Sequence, residues 1–354
     1  MRKKQKRKLI TVSKHIGEVV MLLFFLSLIV FVMARLCPGD PLRAWYGASV
    51  DRMNEAGKEA ARTSLGLNEP IWIQYMEWIK NLLHGDLGIS FKYKRPVLEV
   101  IESAWLNTLT FGLLSYVVTF VLSFALGKFC ASREGSRVDR MICRAGVISG
   151  NVPTFFLSLL FILFFAVKLK ILPTGGAYSY GMKYNVVNRL WHMVLPVSVM
   201  VIGHLWYYAY MIRNLLVEET RKDYVLLLKA QGIPRKLILG KYCVKNILPP
   251  MLIIMALAVP HLVGGTYVVE MVFGYPGLGS LSFESALYKD YNMLMALTMI
   301  TGVVIITANY FAQVMGEKMD HRMKEDEFVE EEEEDGEKEK TISVYRNPGY
   351  HTPK

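Results

Sequence analysis

The chain has 354 residues, of which 53% are hydrophobic and 20% charged, a balance too apolar for a soluble domain of this length. Its net charge of +10 comes mostly from Lys and Arg beside apolar runs, with no basic stripe interleaved with stacking aromatics, so a nucleic-acid partner is excluded. Composition therefore predicts an all-α, multi-pass membrane protein embedded in the lipid bilayer.

The opening "MRKKQKRKLITVSKH" precedes an apolar run over 16–34 that is longer than a secretory h-region, and "RLCPGDP" after it lacks a small-residue cleavage site. An uncleaved first span with its basic end in the cytoplasm is expected. Residues 35–105 then form a long outer loop. Within it Asn68 can cap a helix, Pro70 sits in the first turn, Ile71, Tyr75, Trp78, Ile79 and Leu82 recur at helical spacing, and Gly85 can close the end. Trp72, Tyr75 and Trp78 on this helix suit either the headgroup zone or packing against the spans.

Five more runs have the roughly 20 apolar residues that a span needs: 106–128, 147–167, 193–213, 247–269 and 293–315. About six transmembrane helices are thus predicted. The fourth carries Pro196, His204 and the run Trp206, Tyr207, Tyr208 and Tyr210, so it is expected to face protein or an aqueous path. Lys and Arg crowd the N-terminus and the loops 128–146 and 213–246, which places both termini in the cytoplasm of a plasma-membrane protein.

Loop 213–246 is punctuated. Residues 218–231 are helix-compatible, Gly232 can take the left-handed position, Pro234 stops the helix, a second helix is expected over 235–246, and Pro249-Pro250 fits the first turn of the next span. The result reads either as a capped surface hairpin or as a knob that docks in a partner's groove. At the outer end of the fifth span, Glu270 precedes Gly274, Pro276, Gly277 and Gly279, which reads as a turned segment lining an outer mouth or as a tight turn with Glu270 satisfied by a neighbour. The last stretch, 317–354, contains "FVEEEEEDGEKEK" and is expected to be a disordered acidic tail.

Chemistry-bearing motifs are missing. Gly127-Lys128 and Gly240-Lys241 lack the upstream glycine and following Ser or Thr of a P-loop, and neither H-E-x-x-H nor G-x-S-x-G occurs. His204 and His261 have no second ligand at i+3 or i+4. Cys37, Cys130, Cys143 and Cys243 have no metal-ligand spacing, so free thiols and no metal site are expected. No catalytic residue is proposed.

The hairpin resembles the cytoplasmic EAA loop of ABC-importer permeases, and more narrowly that of the dipeptide/oligopeptide/nickel family. Arg213, Asp223-Tyr224-Val225, Ala230-Gln231-Gly232 and Asn246-Ile247-Leu248-Pro249 match its pattern in order. So do "PGDP" at 38–41, "SLGLNEPIWIQY" at 64–75, "GDLGIS" at 85–90, "RPVLEVI" at 95–101, "NTLTFGL" at 107–113, "VPTFF" at 152–156, "GGTYVVEMVFGYPGLGSL" at 264–281 and "KDY" at 289–291. Leu226, Leu227 and Leu228 depart from it, standing where small residues and Arg are usual, and Asn292 stands where Pro is common.

The resemblance implies a type-1 importer permease fold: a core over 106–316 with its coupling loop at 213–246, preceded by the basic end, first span and outer loop of 1–105. It implies contact of an ATPase subunit with Arg213, Glu218, Asp223, Tyr224, Ala230, Gly232 and Arg235, and a translocation path near Glu270, Gly274, Pro276, Gly277 and Gly279. Partners implied are a second homologous permease, two ATPase subunits and an extracytoplasmic solute-binding protein. ATP is used by the ATPases, and this chain binds no cofactor of its own. The implied cargo is peptide, with nickel or another small solute as the alternative. An ion-coupled secondary transporter would need acids in mid-span, whereas Glu18 and Glu270 sit near span ends.

Overall fold

The computed structural model describes residues 2–36 and 40–319, with side chains from 17–36 and 40–316. Cys37, part of "PGDP" and the acidic tail lie outside the described residues. Among those described, helices account for nearly all regular structure: α1 (Arg2–Leu36), α2 (Pro41–Tyr46), α3 (Glu55–Ser64), α4 (Ile71–Leu83), α5 (Val97–Ser132), α6 (Arg137–Ser149), α7 (Thr154–Lys168), α8 (Val186–Glu219), α9 (Asp223–Ala230), α10 (Arg235–Val272), α11 (Leu278–Tyr288) and α12 (Tyr291–Met319). Five of them, α1, α5, α8, α10 and α12, are long and apolar enough to cross a membrane. The bent pair of α6 and α7 makes a sixth candidate.

The bend corrects one expected span. Residues 147–167 do not form a single helix, because the chain turns by 110° between α6 and α7. Pro153 bars the α-helical conformation to the residue before it and starts α7 instead. Several other boundaries move outward. The expected spans 106–128 and 193–213 lie inside helices of 36 and 34 residues. Residues 235–246 do not end before the fifth span but run into it, so Pro249 and Pro250 lie inside a helix and not in its first turn. A stretch with π-type hydrogen bonding over Ile238–Cys243 carries the helix through this region.

Helix α8 is the most buried of the long helices and touches α5, α6, α7 and α10. Small residues let these backbones close in. A Cβ at Gly127 would lie 2.8 Å from the Ala209 carbonyl oxygen, and one at Gly146 would lie 2.6 Å from Tyr210 Cβ. Helix α1 packs on α12, with Arg35 over the Tyr291 ring at one end and Leu26 against Gly302 further along, so the two run antiparallel.

Helix α4 packs on α1: Tyr75 is buried beside Phe31 and Met295, its hydroxyl lies 2.8 Å from Ser27 Oγ, and Trp78 stacks on its ring. Trp72 stays exposed. Asn68 does not cap this helix; Pro70 occupies the cap, and the Asn68 amide donates to Glu59 and Thr63 instead. Gly85 does take a positive φ just past its end.

Candidate functional site

At one end of the bundle α8 stops at Glu219, three residues turn, and α9 begins. Glu218 therefore belongs to the end of the long helix and not to the hairpin helix, because Thr220 caps α8 and its hydroxyl turns back to the Val217 carbonyl. After α9, Gly232 has φ 78, and Pro234 starts α10. Gly232 is needed for this left-handed geometry and not for close approach, since a Cβ there would meet nothing within 4 Å.

The hairpin is fastened by a carboxylate absent from the sequence expectations. Glu219 is buried. Its Oε1 accepts from the Tyr224 hydroxyl at 2.8 Å and from Asn246 Nδ2 at 2.9 Å, and its Oε2 pairs with Lys222 Nζ at 2.6 Å. One side chain thus joins α8, α9 and α10. Burial, with the neighbouring Cys243 and Glu219, pushes the Tyr224 hydroxyl pKa upward. Val225 completes the anchorage, buried among Ile212, Leu216, Ile238 and Ile247.

With that face consumed, the opposite one is presented. Asp223, Leu226, Leu227, Ala230 and Arg235 are exposed, and Leu226 and Leu227 retain about the same large fraction of their surface, 58% and 60%. Arg213 is not part of that surface. Its Nε donates to Asp139 Oδ1 at 2.9 Å and its Nη2 to Oδ2 at 2.8 Å, tying α8 to α6. Asp139 is otherwise held by the Gly135 N–H. Gly316 lines a cavity with Glu218 and Asn246, so α12 ends at the same end of the bundle as the hairpin.

At the opposite end Glu270 is fully buried. Thr108 Oγ1 donates to its Oε1 at 2.6 Å, while the Gly279 and Ser280 N–H groups donate to Oε2 at 2.7 and 3.4 Å. Thr108 also accepts from the Leu278 N–H. The carboxylate therefore caps the first turn of α11, a helix the sequence reading did not expect. Gly277 has no room for a side chain, since a Cβ would fall 2.4 Å from the Glu270 carboxyl. Pro276 is fixed by Asn107 Nδ2 donating to its carbonyl at 2.7 Å, and Gly274 turns at φ 55. The segment is a tight turn in which Glu270 is satisfied by its neighbours.

Nearby, buried Asp290 accepts from Ser90 Oγ and the Lys92 N–H, pinning loop 88–96 to the start of α12. Among the described residues no group of three or more His, Cys, Asp or Glu side chains could hold a metal ion, and Cys130, Cys143 and Cys243 are free thiols.

Residues 123–325 match the family described as binding-protein-dependent transport system inner membrane component, and residues 8–112 match the corresponding N-terminal family. The oligopeptide transport system permease protein AppB of Bacillus subtilis is 30% identical over 303 residues, which is 85% of this chain and 95% of that protein. The metal-staphylopine import system permease protein CntB of Staphylococcus aureus is 30% identical over 260 residues, 73% of this chain and 80% of that protein. A solved structure of the MetNI methionine ABC transporter in an inward-facing conformation aligns with a TM-score of 0.47 at 17% identity, covering 62% of this chain and 97% of that one. The chain belongs to the family of binding-protein-dependent transport system inner membrane components.

Proposed function

We propose that this chain is the membrane permease subunit of an ATP-driven importer of di- and oligopeptides, and that α9 is the element through which ATPase subunits drive it. The observation that carries the reading is the division of α9 into two faces. Tyr224 and Val225 lock it to α8 and α10, while Asp223, Leu226, Leu227, Ala230 and Arg235 are left open for a partner. A short helix held between two spans transmits displacement to both, and bundles with two packings convert it into alternating access. Family membership and the likeness to AppB support peptide as cargo. The likeness to CntB supports a metal chelate as the second reading.

The working assembly has a second homologous permease, two ATPase subunits that bind and hydrolyse the ATP, and an extracytoplasmic solute-binding protein. The hairpin end and both termini face the cytoplasm, in line with the Lys and Arg density there. Glu270, Gly277 and Gly279 hold α11 at the outer end of the path.

Copurification of the chain with its ATPases, followed by ATP hydrolysis measured with peptides and with metal chelates, tests the reading. Peptide-stimulated hydrolysis is expected, stimulation only by a metal chelate would reassign the cargo, and failure to recover any ATPase would overturn the assignment. The variant Gly232→Asp has room for its Cβ but strains the left-handed turn at φ 78, so it is expected to insert with the spans intact, distort the joint between α9 and α10, and lose transport. Normal uptake by that variant would remove α9 from the coupling role.

A further inference from the structure

Four cations at the hairpin end make none of the hydrogen bonds or ion pairs described above, and one of them, Arg235, also borders the open face of the hairpin. Lys128 lies one turn from the end of α5 and Arg133 caps it, while Arg235 and Lys236 open α10. Together with Phe129 and Leu239 they line a cavity of about 620 Å³ that has no acidic residue in its wall. Lys128 reaches across the gap between the helices, since a Cβ on Gly240 would lie 3.7 Å from its Nζ. Arg133 is oriented by the Phe129 ring, with its guanidinium carbon 4.1 Å from the centroid. The only close acid on this loop, Glu134, is paired with Arg221 at 2.9 Å.

Four positive side chains around one cavity repel one another unless an anion sits among them. Helix α5 is long and apolar enough to cross a membrane, and Lys128 and Arg133 stand at and just past the end of its apolar run over 106–128, the position at which headgroups are expected. From the cavity an apolar strip runs toward the middle of α5. Leu122, Ala125 and Phe129 follow at i, i+3 and i+7 and are all exposed, with Leu122 at 44% and Phe129 at 41%. A free anion or an acidic peptide would use the cations and make no use of this strip. A phospholipid would use both.

We propose that the cavity between the end of α5 and the start of α10 is a binding site for the phosphate headgroup of an anionic phospholipid, whose acyl chain lies along Leu122, Ala125 and Phe129. Basic pockets between spanning helices are a recurrent form of lipid recognition.

The test is native mass spectrometry of the full-length protein titrated with dioleoyl phosphatidylglycerol, with dioleoyl phosphatidylcholine as the neutral control. The wild type is expected to prefer the anionic lipid. The pair Lys128→Gln and Arg133→Gln is expected to weaken that binding by about thirtyfold, leaving the neutral lipid unchanged. The charge-preserving pair Lys128→Arg and Arg133→Lys should retain it, which separates lost charge from lost fold. Equal retention of the anionic lipid by the neutral pair would overturn the proposal. So would displacement by inorganic phosphate as effective as by the lipid, which would mark a simple anion site. Anionic lipid that binds only after residues 320–354 are removed would reassign the cavity to the acidic tail.

Discussion

Arg213 and Asp139 meet through two parallel N–H to oxygen bonds, 2.9 and 2.8 Å long, and this is the polar link between α8 and α6. Asp139 is almost entirely buried and Arg213 largely so, with side-chain exposures of 2% and 16%. Removing one partner leaves the other as an uncompensated charge, so Asp139→Ala should cost about 3 kcal/mol. Thermal unfolding in detergent checks this, and the double replacement Asp139→Leu with Arg213→Met should recover much of the loss. An unchanged midpoint for the single variant would show that the pair does not hold these helices together.

Glu219 fixes the hairpin through Tyr224, and a hydrogen bond to a charged group is worth about 1.5–3 kcal/mol. Tyr224→Phe should therefore raise amide exchange across 223–230 by roughly tenfold or more while leaving the spans protected. Because burial raises the Tyr224 pKa, the native state favours the neutral hydroxyl. That contribution is fully present below the ordinary tyrosine value of about 10 and is lost as pH rises through the higher folded value. The difference in exchange between wild type and Tyr224→Phe should shrink in that alkaline window.

Leu226 and Leu227 touch little of their own chain, so replacing both with Ser should leave the melting temperature nearly unchanged. Their proposed role is at the ATPase contact. Burying two leucines contributes about 3–6 kcal/mol to an interface before ordering costs, so copurification of the ATPase should fall by at least tenfold. Undiminished recovery would mean that the partner grips the hairpin elsewhere.

Gly279 is enclosed by Tyr267 and Glu270, with a new Cβ falling 2.4 Å from Tyr267 Cα. Gly279→Ala must push α11 away from α10 and should cost about 2 kcal/mol. The milder Glu270→Gln keeps one acceptor oxygen for the α11 cap. A larger loss of thermal stability for Glu270→Gln than for Gly279→Ala would contradict this account of the turn.

Glu284 offers an acid-sensitive contact on α11. Burial alone would raise its pKa, but hydrogen bonds from Lys92 and Tyr93 outweigh that and hold it below the ordinary carboxylate range. Its contribution is present above the usual value near 4.5 and is lost as pH falls through the lower folded value. Proteolysis or amide exchange at 88–96 should increase on acidification in wild type, and Glu284→Gln should show raised exchange already at neutral pH.

Length and apolarity made the long helices legible, and the Gly-Ile-Pro break located the hairpin turn. The carboxylates that assemble these elements were harder to see. Ile212, Leu216 and Glu219 follow at i, i+4 and i+7, which places Glu219 on the buried face and Glu218 off it. That periodicity was available, but two adjacent glutamates at a charged helix end look alike until their partners are known. Ser136 followed by Asp139 has the spacing of a helix start, a signal that could have marked the beginning of α6. Nothing local announces that Asp290 binds Ser90, 200 residues earlier. Helix α11 was hidden for a similar reason, since its first turn is capped by Glu270 from a different helix.

The joints on either side of α9 contain three and four residues, 220–222 and 231–234. Three residues reach at most about 11 Å even when straight, and here they are turned. The connections leave little reach to spare: α9 cannot travel far while its neighbours stand still. A displacement of a few ångströms imposed on it must be followed by α8 and α10, and through the close approach at Gly127 by α5 as well. The shortness of two loops sets the minimum size of the body that has to move.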